Sequence, residues 1–171
     1  MPSSLVVTHE RLGTWSRHLR PRLAAPRAGV GAIRWVESRS GTDLERAVAT
    51  SATPIVVIDL ADRPRAMLED LDQAVQAAPG GLFLVLDPAS HPVVPELALE
   101  LGATLVLNGF VPPPRVAELL LRWLPIAARR AEADGWVATA ETEPELWERD
   151  DLLGPAPARF GAATANDRQH A

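Results

Sequence analysis

Two short runs constrain this chain more than anything else in it. IVVID at 55–59 and LFLVLD at 82–87 are apolar throughout until an aspartate ends each. Continuous runs of β-branched and large aliphatic residues predict strands buried on both faces, as found where helices cover both sides of a parallel sheet. Asp59 and Asp87 then mark the carboxyl ends of two strands. In open α/β sheets that edge is where ligands and catalysis gather.

The remaining sequence supplies matching units in alternation. SLVVTHE at 4–10 predicts a first strand, and RLGTWSRHLRPRLAA after it spaces Leu12, Trp15 and Leu19 at helical intervals. Pro21 predicts a kink or an end of that helix near Arg20. GAIRWVES at 31–38 reads as a second strand, nearer an edge because it keeps Arg34 inside it. GTDLERAVAT opens the next helix, with Thr42 and Glu45 spaced as a capping box. After IVVID, the stripe Met67, Leu68, Leu71 and Val75 predicts a third helix, ended at Pro79, Gly80 and Gly81. HPVVPELALELG is a short helix with Pro92 and Pro95 near its start and Gly102 as its stop. ATLVLNG at 103–109 is a fifth strand. In the last helix Val116, Leu119, Leu120, Trp123 and Leu124 face the sheet, Pro125 predicts a kink, and Arg129 and Arg130 suit the helix dipole near the end.

This alternation predicts an α/β fold over residues 1–131, with a flavodoxin-like five-stranded parallel sheet of order 2-1-3-4-5 and helices on both faces. Residues 132–171 are acidic and punctuated by Pro and Gly, so they are expected to form a largely disordered tail. A short helix over 144–153, carrying Leu146, Trp147, Leu152 and Leu153, is the one element expected there.

Composition narrows the chemistry. The chain has no cysteine, and all 17 of its Lys+Arg positions are arginine. Thiolate nucleophiles, Schiff bases and phosphate-loop lysines are therefore excluded. Exclusive arginine with abundant Ala, Pro and Leu points to GC-rich coding and a bacterial source. No leader pattern and no long apolar span is seen, so a soluble, cytoplasmic protein is expected, without membrane association. Residues 1–130 hold 14 Arg against 13 acids, whereas 131–171 hold 3 Arg against 9 acids. That balance argues against direct nucleic-acid binding, which needs a basic face. The cluster Arg11, Arg17, Arg20, Arg22 and Arg27 reads as a solvated helix face.

LVVTHE, IVVIDLA and ALELGATLVLNGF, in that order, resemble the receiver domain of bacterial two-component response regulators over about residues 4–130. Gly102, Ala103 and Phe110 match the family's pattern around its fifth strand. The resemblance implies that Asp59 occupies the position that accepts a phosphoryl group from a histidine kinase. It also implies a Mg²⁺ held by acids after the first strand, a hydroxyl residue after the fourth and a lysine after the fifth. Here Thr8 and His9 replace the paired acids, with Glu10 adjacent; Asp87 replaces the hydroxyl residue; Asn108 replaces the lysine and Gly109 the proline after it. Phosphoryl transfer onto a carboxylate needs metal and cation to offset charge repulsion, so these replacements imply a non-phosphorylatable pseudo-receiver. Asp87 beside Asp59 is expected to add like-charge repulsion, such that Asp87→Asn would stabilise the fold by about 1 kcal/mol.

The expected function is a signalling or protein-interaction module without cofactor or enzymatic activity. Its partner, or a second copy, would dock on the fourth helix, fifth strand and fifth helix, using Leu121, Arg122, Arg129 and Arg130. The alternative is a small-ligand or metal-binding flavodoxin-like protein, with His9, Glu10, Asp59 and Asp87 converging as weak metal ligands. His9–Glu10 lacks the second histidine of a zinc-protease helix, and no Gly-x-Gly-x-x-Gly follows a strand. His18, His91 and His170 are given no role.

Overall fold

IVVID and LFLVLD form strands at the middle of the sheet, because burial on both faces satisfies such continuous apolar runs. In the computed structural model, which describes residues 3–24, 31–61 and 63–133, five strands and five helices alternate. The strands are β1 (Ser4–His9), β2 (Ile33–Ser38), β3 (Ile55–Asp59), β4 (Leu82–Asp87) and β5 (Leu105–Asn108). The helices are α1 (Thr14–Leu23), α2 (Gly41–Val48), α3 (Pro64–Ala77), α4 (Val94–Glu100) and α5 (Pro113–Ala133). All pairings are parallel and the order is β2-β1-β3-β4-β5. The predicted sheet order holds, and the arginine-bearing β2 is an edge strand.

Side-chain alternation along each strand divides the core in two. Val56, Ile58, Phe83 and Val85 pack with Leu44, Met67, Leu71 and Ala98, which places α2, α3 and α4 on one face. Ile55, Val57, Leu84 and Leu86 pack with Leu19, Leu23, Val116 and Leu120, which places α1 and α5 on the other. Thr53, just before β3, donates its hydroxyl to the Ala127 carbonyl at 2.9 Å and ties α5 to the entry of the central strand.

Two local expectations are corrected. Of the kink or end expected near Arg20, the end is not found: helix α1 runs through Pro21 to Leu23. Leu19 and Leu23, four residues apart, are both buried against the sheet, and this packing outweighs the backbone bond that Pro21 removes. Helix α2 is capped by Ser40, not Thr42: the Ser40 hydroxyl oxygen accepts from the Asp43 amide at 3.2 Å and its O–H donates to the Asp43 carboxylate at 2.7 Å. The predicted stop of α4 is found at Gly102, whose φ of +100° suits glycine and where a Cβ would collide with Val75. No described helix is long and apolar enough to cross a membrane. The expected helix over 144–153 and most of the expected tail lie outside the described residues.

Candidate functional site at the strand carboxyl ends

The site follows from the sheet, since parallel strands deliver their last residues to one edge. Thr8, His9 and Glu10 arrive from β1, Asp59 from β3, Asp87 from β4 and Asn108 from β5. Thr8, His9, Glu10, Asp59 and Asp87 are each engaged locally or by a neighbouring element, and the engagements differ in partner and direction.

Glu10 is 3% exposed and accepts the backbone amides of Trp15 at 2.8 Å and Ser16 at 2.6 Å, one on each carboxylate oxygen. Those amides belong to the first turn of α1, which has no side-chain cap of its own at Gly13 and no acid within its first turn. Glu10 therefore supplies both the missing acceptors and the negative charge that a helix N-terminus favours. Thr8 is buried and its hydroxyl meets that of Ser16 at 2.5 Å. Together the two residues fasten α1 to β1.

His9 is fully buried. Its Nδ1 lies 2.8 Å from the Ser38 hydroxyl at the end of β2, and its Nε2 lies 2.9 Å from the Asp70 carboxylate on α3. Asp70 comes so close to the first turn of α2 that a Cβ at Gly41 would overlap its carboxylate. The imidazole thus joins β1, β2 and α3 in one polar contact chain, and glycine at 41 leaves room for it. Both ring nitrogens are occupied.

Asp59 accepts the Ala61 amide at 3.2 Å on Oδ1, an aspartate turn at the strand end. Asp87 is completely buried, and its two oxygens meet His91: Oδ2 accepts the His91 amide at 2.6 Å and Oδ1 lies 2.7 Å from the ring Nδ1. The register pairs Asp59 with Leu86, and Leu86 packs in the α1–α5 core, so alternation assigns Asp87 to the opposite face. Asp87 turns toward the loop before α4, where the amide and ring of His91 hold its carboxylate, partners that the expected crowding against Asp59 leaves out. Asp87→Asn would therefore alter two bonds to His91 as well as remove a charge. Asn108 pairs with Asp87 in the register and is exposed, as is Phe110.

The metal candidates Glu10, Asp59 and Asp87 are not gathered, and among the described residues no group of three metal-ligating side chains forms. Of the expected interaction residues on α5, Leu121 is half-buried against the α1–α5 core, while Arg122 is exposed. Arg129 donates to the Pro125 carbonyl at 3.3 Å, and Arg130 donates to the Gly80 carbonyl at 3.5 Å. Gly80 lies in the turn entering β4, so Arg130 stands at the amino end of the sheet, away from the strand-end residues.

His91 was the functional-looking residue that the sequence reading passed over. Its signal was DPAS at 87–90, an aspartate followed by proline, which favours a turn whose side chain bonds to nearby amides. The backbone confirms the turn, with the Ser90 amide donating to the Asp87 carbonyl at 3.1 Å.

No protein-family model matches the sequence, and no curated protein matches it. Solved structures do match in fold. The NtrC4 receiver domain, solved as a beryllofluoride-activated dimer, superposes with a TM-score of 0.56 at 12% identity over 74% of this chain and 99% of that one. The response regulator RcsB of Salmonella typhimurium gives a TM-score of 0.55 at 13% identity over 81% of this chain and 71% of that one. A protein from Burkholderia thailandensis that bears a pilus-assembly name, cpaE, gives 0.52 at 20% identity over 75% and 99% of the two chains. Identities this low speak for the fold alone. With the strand order, the helix layers and these superpositions in agreement, the described chain has the receiver-domain fold.

Proposed function

We propose that this chain is a receiver-like signalling module that binds a protein partner and is not switched by phosphorylation of Asp59. The observation that supports it most directly is Glu10. It is the one acid next to the position of a receiver's acidic pair, and both of its oxygens are spent on the amides of Trp15 and Ser16. A metal ion there would have to pull the carboxylate from the start of α1. The other replacements act in the same direction. Asp87 is a buried carboxylate bonded to His91, where a neutral hydroxyl would assist a phosphoryl group, and Asn108 brings no cation to offset the charge. His9 is held between Ser38 and Asp70 and has no free ring nitrogen for a metal.

The partner surface in this reading is the face of α4, β5 and α5, with Leu121 half-buried and Arg122, Arg129 and Arg130 exposed on α5. The test is incubation with Mg²⁺ and acetyl phosphate, followed by intact-mass measurement, with beryllofluoride and Mg²⁺ in parallel in a thermal melt. A receiver that responds to beryllofluoride serves as the positive control. The expected result is no Asp59-dependent mass gain and no shift in Tm. A stoichiometric phosphoprotein that disappears in Asp59→Asn overturns the proposal.

A further inference from the structure

Helices α3 and α4 do not close against each other completely. Between them lies a trough of about 460 Å³ whose floor is Leu68, Val94 and Leu101, with Val93 and Leu97 on the α4 wall. Val93 is 70% exposed and Leu97 41% exposed, so two large apolar side chains stand in water beside an apolar floor. Isolated exposed hydrophobes are ordinary, but a contiguous set lining a concavity marks a binding surface.

Of the charged residues that line the trough, Glu69 and Asp72 outnumber Arg65, and further acids stand on α4 outside the lining. Helix α4 carries Glu96 and Glu100 and no cation. On the α3 wall Arg65 is already paired with Glu69 at 3.0 Å, while among the described residues the Asp72 carboxylate meets the neutral amide of Gln76 at 2.9 Å and no cation. An occupant must therefore bring apolar side chains and positive charge together. Its backbone is constrained too. The walls are helices, whose interior amides and carbonyls are already paired, and the sheet edges lie at β2 and β5. An extended peptide would find no ladder of backbone partners here, whereas a helix satisfies its own. On α3 the trough runs from Pro64 to Asp72, roughly 12 Å along the axis at 1.5 Å per residue, enough for about two turns of a docked helix.

From these features we infer that the α3–α4 trough is a docking site for a basic amphipathic helix of a partner protein, a surface that adjoins the one in the proposed function through α4 and goes beyond it. The partner's apolar residues at i, i+3, i+4 and i+7 fill the trough, and its lysines or arginines face Asp72, Glu96 and Glu100. His91, held by Asp87, stands at one end of the trough.

The test uses the full chain and a fluorescent designed 18-residue peptide with leucines at i, i+3, i+4 and i+7 and lysines on the other positions. A second peptide replaces every lysine with glutamate. Leu97→Ser and Asp72→Lys alter the trough at exposed or half-exposed positions, and circular dichroism checks that both variants stay folded. The lysine peptide is expected to bind at least about tenfold more tightly than the glutamate peptide, and each variant to weaken it by about fivefold or more, equivalent to roughly 1 kcal/mol. Binding unaffected by both variants would place the peptide on acidic residues elsewhere in the chain and overturn the inference. So would equal binding of the two peptides, which would reveal apolar adhesion only, or Leu97-dependent self-association by sedimentation, which would make a second copy the occupant.

Discussion

The two helix layers that flank the sheet are electrical opposites. Helices α1 and α5 carry Arg17, Arg20, Arg22, Arg115, Arg122, Arg129 and Arg130 against Glu118 and Glu132. Helices α2, α3 and α4 carry Asp43, Glu45, Glu69, Asp70, Asp72, Glu96 and Glu100 against Arg46 and Arg65. Seven cations to two anions on one side faces seven anions to two cations on the other. The near-neutral balance of residues 1–130 therefore hides a dipole across the sheet, and a charged partner is steered to one layer and repelled from the other. The layers differ in polar anchoring as well. On the α1 side the strand-end groups Thr8 and Glu10 bond within the next helix, whereas on the α2–α4 side His9 reaches Asp70, 61 residues away.

Despite this opposition, the apolar cores under the two layers should be of comparable weight. Leu71→Ala under α3 and Leu120→Ala under α5 remove fully buried side chains, and each is expected to cost about 3 kcal/mol in urea unfolding. A loss below about 1 kcal/mol for either would mean that its layer is not integral to the cooperative fold. Glu10→Gln sharpens the anchoring contrast. It keeps the shape and removes the charge that accepts two amides, so a loss of about 2 kcal/mol is expected, with the first turn of α1 losing hydrogen-exchange protection. Protection lost evenly over the whole sheet would deny Glu10 its local role.

Asp87→Asn probes the opposite layer. The carboxylate accepts from the His91 amide and meets its ring, and the His91 side chain is 39% exposed, so water compensates in part. A loss of about 1 kcal/mol is expected. A gain in stability would instead restore like-charge crowding at the strand ends. The smallest effect belongs to Trp35 on β2, whose buried Nε1 has no hydrogen-bond partner among the described residues. Trp35→Phe is expected to stay within about 0.5 kcal/mol of the parent in thermal unfolding, because no bond is lost with the indole N–H. A larger loss would show that the indole ring contributes packing that the phenyl ring does not replace.

The elements were legible because their signals are local. IVVID and LFLVLD have no amphipathic alternative, the stripe at Met67, Leu68 and Leu71 has helical period, and Gly102 stops α4 by its own backbone freedom. Pro21 and Thr42 misled for the converse reason. Each is a local rule that tertiary packing or a better neighbouring cap set aside, Leu23 on the sheet in one case and Ser40 in the other. The same boundary runs through the site. Sequence alone determined which residues arrive at the carboxyl edge of the sheet, because strand period and strand ends are written in consecutive residues. Only the tertiary structure decided what each residue does there. Glu10 meets an amide pair only once α1 has docked, His9 finds Asp70 only once α3 lies beside β1, and Asp87 meets His91 only once the loop before α4 has folded back on it. Hydrogen-bond partners are chosen by distance in space, and chain separation carries no record of it.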